Sequence, residues 1–173
     1  MARTPDFLTL RRNRDEATRY ETWIRRAGVA LTTLLLVAGL LNVFGQRPQT
    51  TTAAVSAAEL KVYAPSRLRG GLYYEARFTI SARTALEKAT LVLDSGWAEG
   101  ITINTVEPSP VGEASRDGRL VFELGHVPAG TSYIFFLQLQ VNPTNVGHRS
   151  QDVDLYDGDT FLTSVDRTVT IFP

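Results

Sequence analysis

The chain has 173 residues, 43% of them hydrophobic and 21% charged, which leaves room for one ordinary domain and an appendage and excludes collagen, general disorder and a large multi-domain enzyme. Eighteen basic residues balance eighteen acidic ones, so no net field draws the protein to nucleic acid. The absence of cysteine removes disulfides, thiolate metal sites, cysteine nucleophiles and thiol redox chemistry.

Residues 1–26 form a basic tail in which Arg3, Arg11, Arg12, Arg14, Arg19, Arg25 and Arg26 face Asp6, Asp15, Glu16 and Glu21, leaving +3. Residues 27–45, AGVALTTLLLVAGLLNVFG, carry no charge. As a helix they reach about 28 Å, the depth of a bilayer's hydrocarbon core. A buried helix of a soluble protein normally keeps a polar stripe, whereas here only Thr32, Thr33 and Asn42 interrupt the run, so a transmembrane helix is expected. The arginines before it place the N terminus in the cytoplasm, and Tyr20 and Trp23 stand where interfacial aromatics belong. A basic start and an apolar run also open a secretory signal, with conceivable cleavage after Val43-Phe44-Gly45 or Val55-Ser56-Ala57. The long leader and long apolar run favour a retained anchor. Gly28, Thr32, Ala38, Gly39 and Asn42 are the small or polar residues through which such a helix packs on another in lipid, although a lone helix tolerates them equally.

Residues 46–58, QRPQTTTAAVSAA, are small and polar without apolar periodicity and are expected to be a flexible spacer. From residue 59 to 173 the pattern has period two. Leu72, Tyr74, Ala76, Phe78 and Ile80 alternate with outward positions, as do Leu120, Phe122 and Leu124, and Tyr133, Phe135, Leu137, Leu139 and Val141. Turn signals recur at Gly70-Gly71, Ser95-Gly96, Pro108-Ser109-Pro110, Asp117-Gly118, Pro128-Ala129-Gly130, Asn142-Pro143 and Asp157-Gly158. The two Asp-Gly pairs predict tight hairpins with type I′ turns. Strands are expected near 60–65, 72–82, 86–93, 100–106, 119–125, 131–141, 150–156 and 160–172. Seven or eight antiparallel strands point to an all-β, two-layer sandwich of immunoglobulin type, with a closed barrel as the competing architecture.

The stretch from Arg77 to Pro173 carries a loop, LDSGWAEGITINTVEPSP, then LVFELGHVPAGTSYIFFLQLQV and a last strand ending in TVTIFP. It resembles the bacterial conserved-repeat Ig-like domains of cell-surface and envelope proteins, in which a Gly-x-x-Pro-x-Gly turn, here Gly125 to Gly130, precedes a long apolar strand. The resemblance implies a spacer, adhesion or assembly module with no catalytic residues. The single copy shifts the expectation from an adhesive stalk to an accessory subunit.

Chemistry has little to work with. His126 and His148 both fall in predicted loops, short of the three or four ligands a zinc site needs. Asp152, Asp154, Asp157 and Asp159 are the one suggestive cluster, a weak calcium candidate of hard oxygen ligands. The alternative places Asp152 and Asp154 on the solvent face of a strand and Asp157-Gly158-Asp159 in its hairpin turn. Exposed aromatics such as Tyr73, Trp97 and Phe136 are either sheet packing or a sugar- or protein-binding face. No P-loop, GxGxxG, GxSxG or HExxH occurs. The expectation is a non-enzymatic, cofactor-free accessory protein. It is single-pass in the cytoplasmic membrane and presents its domain outside to a membrane or envelope protein; the alternative is an extracytoplasmic module binding calcium or a cell-wall glycan.

Overall fold

The computed structural model describes residues 11–43 and 45–173; the start of the basic tail and Phe44 of the nearer cleavage pattern lie outside them. The chain divides into two compact units, one ending at Val43 and one running from residue 44 to Pro173.

Among the described residues the first unit holds one helix, α1 (Arg11–Leu40). Its segment Tyr20–Leu40 is long and apolar enough to cross a membrane, and none of it is buried against protein. The helix thus begins well before Ala27 and stops short of Gly45. The reason for the stop is Asn42, whose φ of 53° is left-handed. The Val43 amide donates to the Ala38 carbonyl at 3.0 Å and the Asn42 amide to Gly39 at 2.9 Å, the paired bonds of a Schellman cap. Asn42, expected as a packing residue, lies just past α1 and closes it, because asparagine tolerates the left-handed conformation better than most side chains.

The second unit is all-β, with thirteen strands among the described residues where seven or eight were expected. One five-stranded sheet runs in the order β1 (Pro48–Ala54), β2 (Ala58–Pro65), β4 (Tyr73–Ala82), β9 (Ser132–Val141), β6 (Ile101–Glu107). A second runs β12 (Thr160–Val165), β11 (Val153–Asp157), β5 (Leu86–Leu93), β8 (Arg119–Val127), β7 (Gly112–Arg116). A small third sheet joins β10 (Gly147–Ser150), β13 (Thr168–Phe172) and β3 (Arg67–Arg69), the β13–β3 pair being parallel.

The two large sheets share one core, because alternation along each strand turns every second side chain inward. Phe78, Phe135, Leu137 and Leu139 from the first sheet and Leu91, Leu93, Leu155 and Phe122 from the second are buried in it. The Phe122 and Phe135 rings, one from each sheet, lie 5.1 Å apart.

The extra strands have local causes. The segment expected as a flexible spacer holds β1, paired residue by residue with β2 from Pro48 opposite Pro65 to Ala54 opposite Glu59. It is a mostly exposed edge strand, so its threonines and alanines show no apolar alternation while its backbone is still paired. The long strand expected over 160–172 breaks at Asp166-Arg167 into β12 and β13, which belong to different sheets. Asp117-Gly118 joins Arg116 to Arg119 with both φ angles positive, as a type I′ turn requires. In the other hairpin Asp157 pairs with Thr160, so the loop residues are Gly158-Asp159 and only Gly158 has positive φ, the pattern of type II′.

Candidate functional site

The outward positions of the first sheet assemble a row of side chains across its strands. Pairing sets Tyr63 opposite Arg77, Arg77 opposite Phe136 and Phe136 opposite Glu107. Cross-strand neighbours on one face stand close enough to interact, and these do. The Arg77 guanidinium carbon lies 5.7 Å from the Tyr63 ring centroid and 5.1 Å from that of Phe136. Its Nη2 donates to Glu75 Oε1 at 3.1 Å. A cation held between two aromatic faces and anchored by a carboxylate is a preorganised, amphipathic contact surface.

Beside this stack lies an open cleft of about 460 Å³, lined by Glu75, Thr105, Glu107, Pro108, Phe136 and Gln138. It joins an aromatic wall to two carboxylates, an amide and a hydroxyl, the mixture that fits a polar ligand with an apolar face.

A buried polar network sits within the core at one side. Arg167 Nη1 donates to Gln151 Oε1 at 3.3 Å, and Nη2 to the carbonyls of Ala64 and Pro65 at 3.2 and 3.1 Å. Its guanidinium lies 5.0 Å from the Trp97 ring centroid. Burial pushes Arg167 down to about 10 and the neighbouring Tyr74 hydroxyl up to about 12. Trp97 Nε1 donates to the Gln151 carbonyl at 3.0 Å, and Gln151 Nε2 donates to the Tyr74 hydroxyl at 3.3 Å. Gln151 and Trp97 are fully buried, and the network ties β2 and β4 to the turn Ser95–Trp97, to the loop before β11 and to the loop between β12 and β13.

The four aspartates separate into different tasks. Asp152 Oδ1 accepts from the Arg167 amide at 2.8 Å. Asp154 pairs with Arg119 at 2.6 Å, and that hydrogen bond holds the guanidinium above its ordinary value. Asp157 Oδ1 accepts from the Lys88 amide at 2.8 Å, while Asp159 is exposed in the turn. Among the described residues no three His, Asp or Glu side chains group as a metal-ion set. His126 stands 3.7 Å from Glu87, and His148 Nδ1 lies 3.0 Å from Thr170 Oγ1; the two occupy β8 and β10, in different sheets.

Trp97, expected among exposed aromatics, is a core residue; Tyr73 and Phe136 do lie on the outer side. On α1, Thr32 Oγ1 donates back to the Gly28 carbonyl at 2.9 Å, and no atom comes within 4 Å of a side chain added at Gly28 or Gly39. Tyr63, Arg77, Glu107 and Gln138 belong to no motif in the sequence. Each occupies an outward strand position, and only the register reveals that they adjoin.

Neither protein-family models nor curated proteins give a match to the chain.

Proposed function

We propose that this is a single-pass membrane protein, its N terminus in the cytoplasm, whose Ig-like sandwich stands outside and binds another membrane or envelope protein without catalysing a reaction. The observation that carries the reading is the contrast between its two units. The β unit hides most of its large aliphatic side chains in one core, whereas α1 exposes Leu31, Leu34, Leu35 and Leu36 at 56–66% of their surface. A helix apolar on all sides requires lipid or protein around it. The Tyr63–Arg77–Phe136 row supplies the partner-facing surface, since arginine and aromatic side chains dominate the energy of interfaces.

The test is affinity capture of the tagged full-length chain from gently solubilised membranes, alongside Arg77→Ala and Phe136→Ser. The full-length protein is expected to bring a stoichiometric partner, and each variant to weaken its retention on the order of tenfold or more. A chain that comes alone, or variants that retain the partner as well as the parent does, contradict the reading.

The cleft favours a second reading, a glycan-binding module in which Phe136 stacks on a sugar ring and Gln138 and Glu107 bond its hydroxyls. Thermal stabilisation of the protein by cell-wall oligosaccharides, lost in Phe136→Ser, distinguishes it from the first.

A further inference from the structure

The corner of the β unit at which the chain enters is held together by hydrogen bonds between segments far apart in sequence. Gln46 Nε2 donates to the Tyr73 carbonyl at 2.7 Å, and the Ser66 amide to the Arg47 carbonyl at 3.2 Å. The Leu72 amide donates to the Arg69 carbonyl at 3.3 Å, and Arg69 Nε to the Pro173 carbonyl at 3.4 Å. These bonds gather the start of β1, the whole of β3 and the first residue of β4 into one continuous strip.

The strip exposes three arginines, Arg47, Arg67 and Arg69, together with Leu72 at 41% and Tyr73 at 65% of their surface. The turn that presents Leu72 and Tyr73 is held rigidly. A side chain on Gly70 would come within 2.8 Å of the Pro143 carbonyl, and Gly71 has φ of +80°.

We infer that this corner is a lipid-surface contact, with Leu72 and Tyr73 entering the headgroup region and Arg47, Arg67 and Arg69 meeting the phosphates of anionic lipids. The inference rests on the reading of α1 as a membrane span. Gln46 follows the last capped residue of that helix, Val43, by three residues, a reach of roughly 10 Å at most. Headgroups extend about 5–8 Å beyond the hydrocarbon core on each side, so the strip begins within their reach. Basic side chains complement the negative surface of such a bilayer, and a tyrosine beside a leucine suits its polar-apolar boundary.

Because the chain has no cysteine, single-cysteine variants report position cleanly. The full-length protein is reconstituted in phosphatidylcholine vesicles with and without phosphatidylglycerol, the lipids carrying nitroxide quenchers. A fluorophore is placed at Thr144→Cys beside the corner, at Leu35→Cys within α1, or at Ala129→Cys, which lies about 30 Å away along β4. The Thr144 probe is expected to be quenched by headgroup nitroxides, more strongly with the anionic lipid, and the Ala129 probe to be unaffected. Arg67→Gln and Arg69→Gln should each lower the docked population on the order of fivefold. If the Leu35 probe is quenched and the Thr144 probe is not, or if charge has no effect, the lipid contact is refuted while the anchor stands. If the Leu35 probe is itself unquenched, the anchor fails and the contact with it.

Discussion

Trp97→Ala is expected to destabilise the β unit by about 3–5 kcal/mol, the range for removing a fully buried large aromatic side chain. Trp97 has no exposed surface, and its ring lies 5.3 Å from Phe78 and beneath the Arg167 guanidinium. The substitution therefore does three things at once. It opens a cavity, strips Arg167 of its aromatic cover, and leaves the Gln151 carbonyl without the indole donor. A buried cation deprived of part of its environment is worse than one never buried, which places the effect toward the upper end of the range. Trp97→Phe keeps the ring contact with Phe78 and should lose less than half as much. Chemical denaturation of the full-length protein in micelles, followed by circular dichroism at the β-sheet band, measures both. A Trp97→Ala midpoint equal to that of the parent contradicts the core described.

Gly96→Ala is expected to destabilise by about 3 kcal/mol or more, an overpacking effect at the severe end. The added Cβ would lie 1.9 Å from the Ser150 carbonyl oxygen and 2.9 Å from its carbon, both backbone atoms of β10. No rotamer relieves a clash with backbone, so the turn Ser95–Trp97 has to move away from β10 and carry Trp97 out of its seat. Gly158→Ala makes the control. Its Cβ meets nothing within 4 Å, and only its φ of +58° resists substitution, so a loss of about 1 kcal/mol is expected. The same denaturation measurement ranks the two. Equal losses would show that Gly96 is required for turn conformation and not for close approach.

These two positions mark where sequence reasoning reaches and where it stops. Strands such as β4 and β9 were legible because one face of each is buried, which imposes alternation on the residues themselves. The turn at Ser95-Gly96 was visible as punctuation, but its reason, a carbonyl of β10 pressed against it, lies more than fifty residues away. Strand β1 left no pattern because an exposed edge places no apolar demand on its side chains. Nothing local discloses that two carbonyls, an amide and an indole converge on Arg167. The row Tyr63, Arg77, Phe136 is a consequence of register, and a slip of one residue would scatter it to opposite faces. The aspartates meet separate partners for the converse reason: proximity along the chain says nothing of Arg119 on β8, the Lys88 amide on β5 or the Arg167 amide in the loop after β12.

The claim on which the rest depends is that α1 crosses a membrane once, with the β unit outside. It is tested most directly by labelling single-cysteine variants in intact cells with a membrane-impermeant maleimide, using Asp159→Cys in the β unit and Asn13→Cys before the apolar span. The account predicts a full-length chain that stays in the membrane after alkaline carbonate extraction, with Asp159→Cys labelled in intact cells and Asn13→Cys labelled only after lysis. A chain released by carbonate or shortened past its apolar segment, or the reverse labelling pattern, would contradict it.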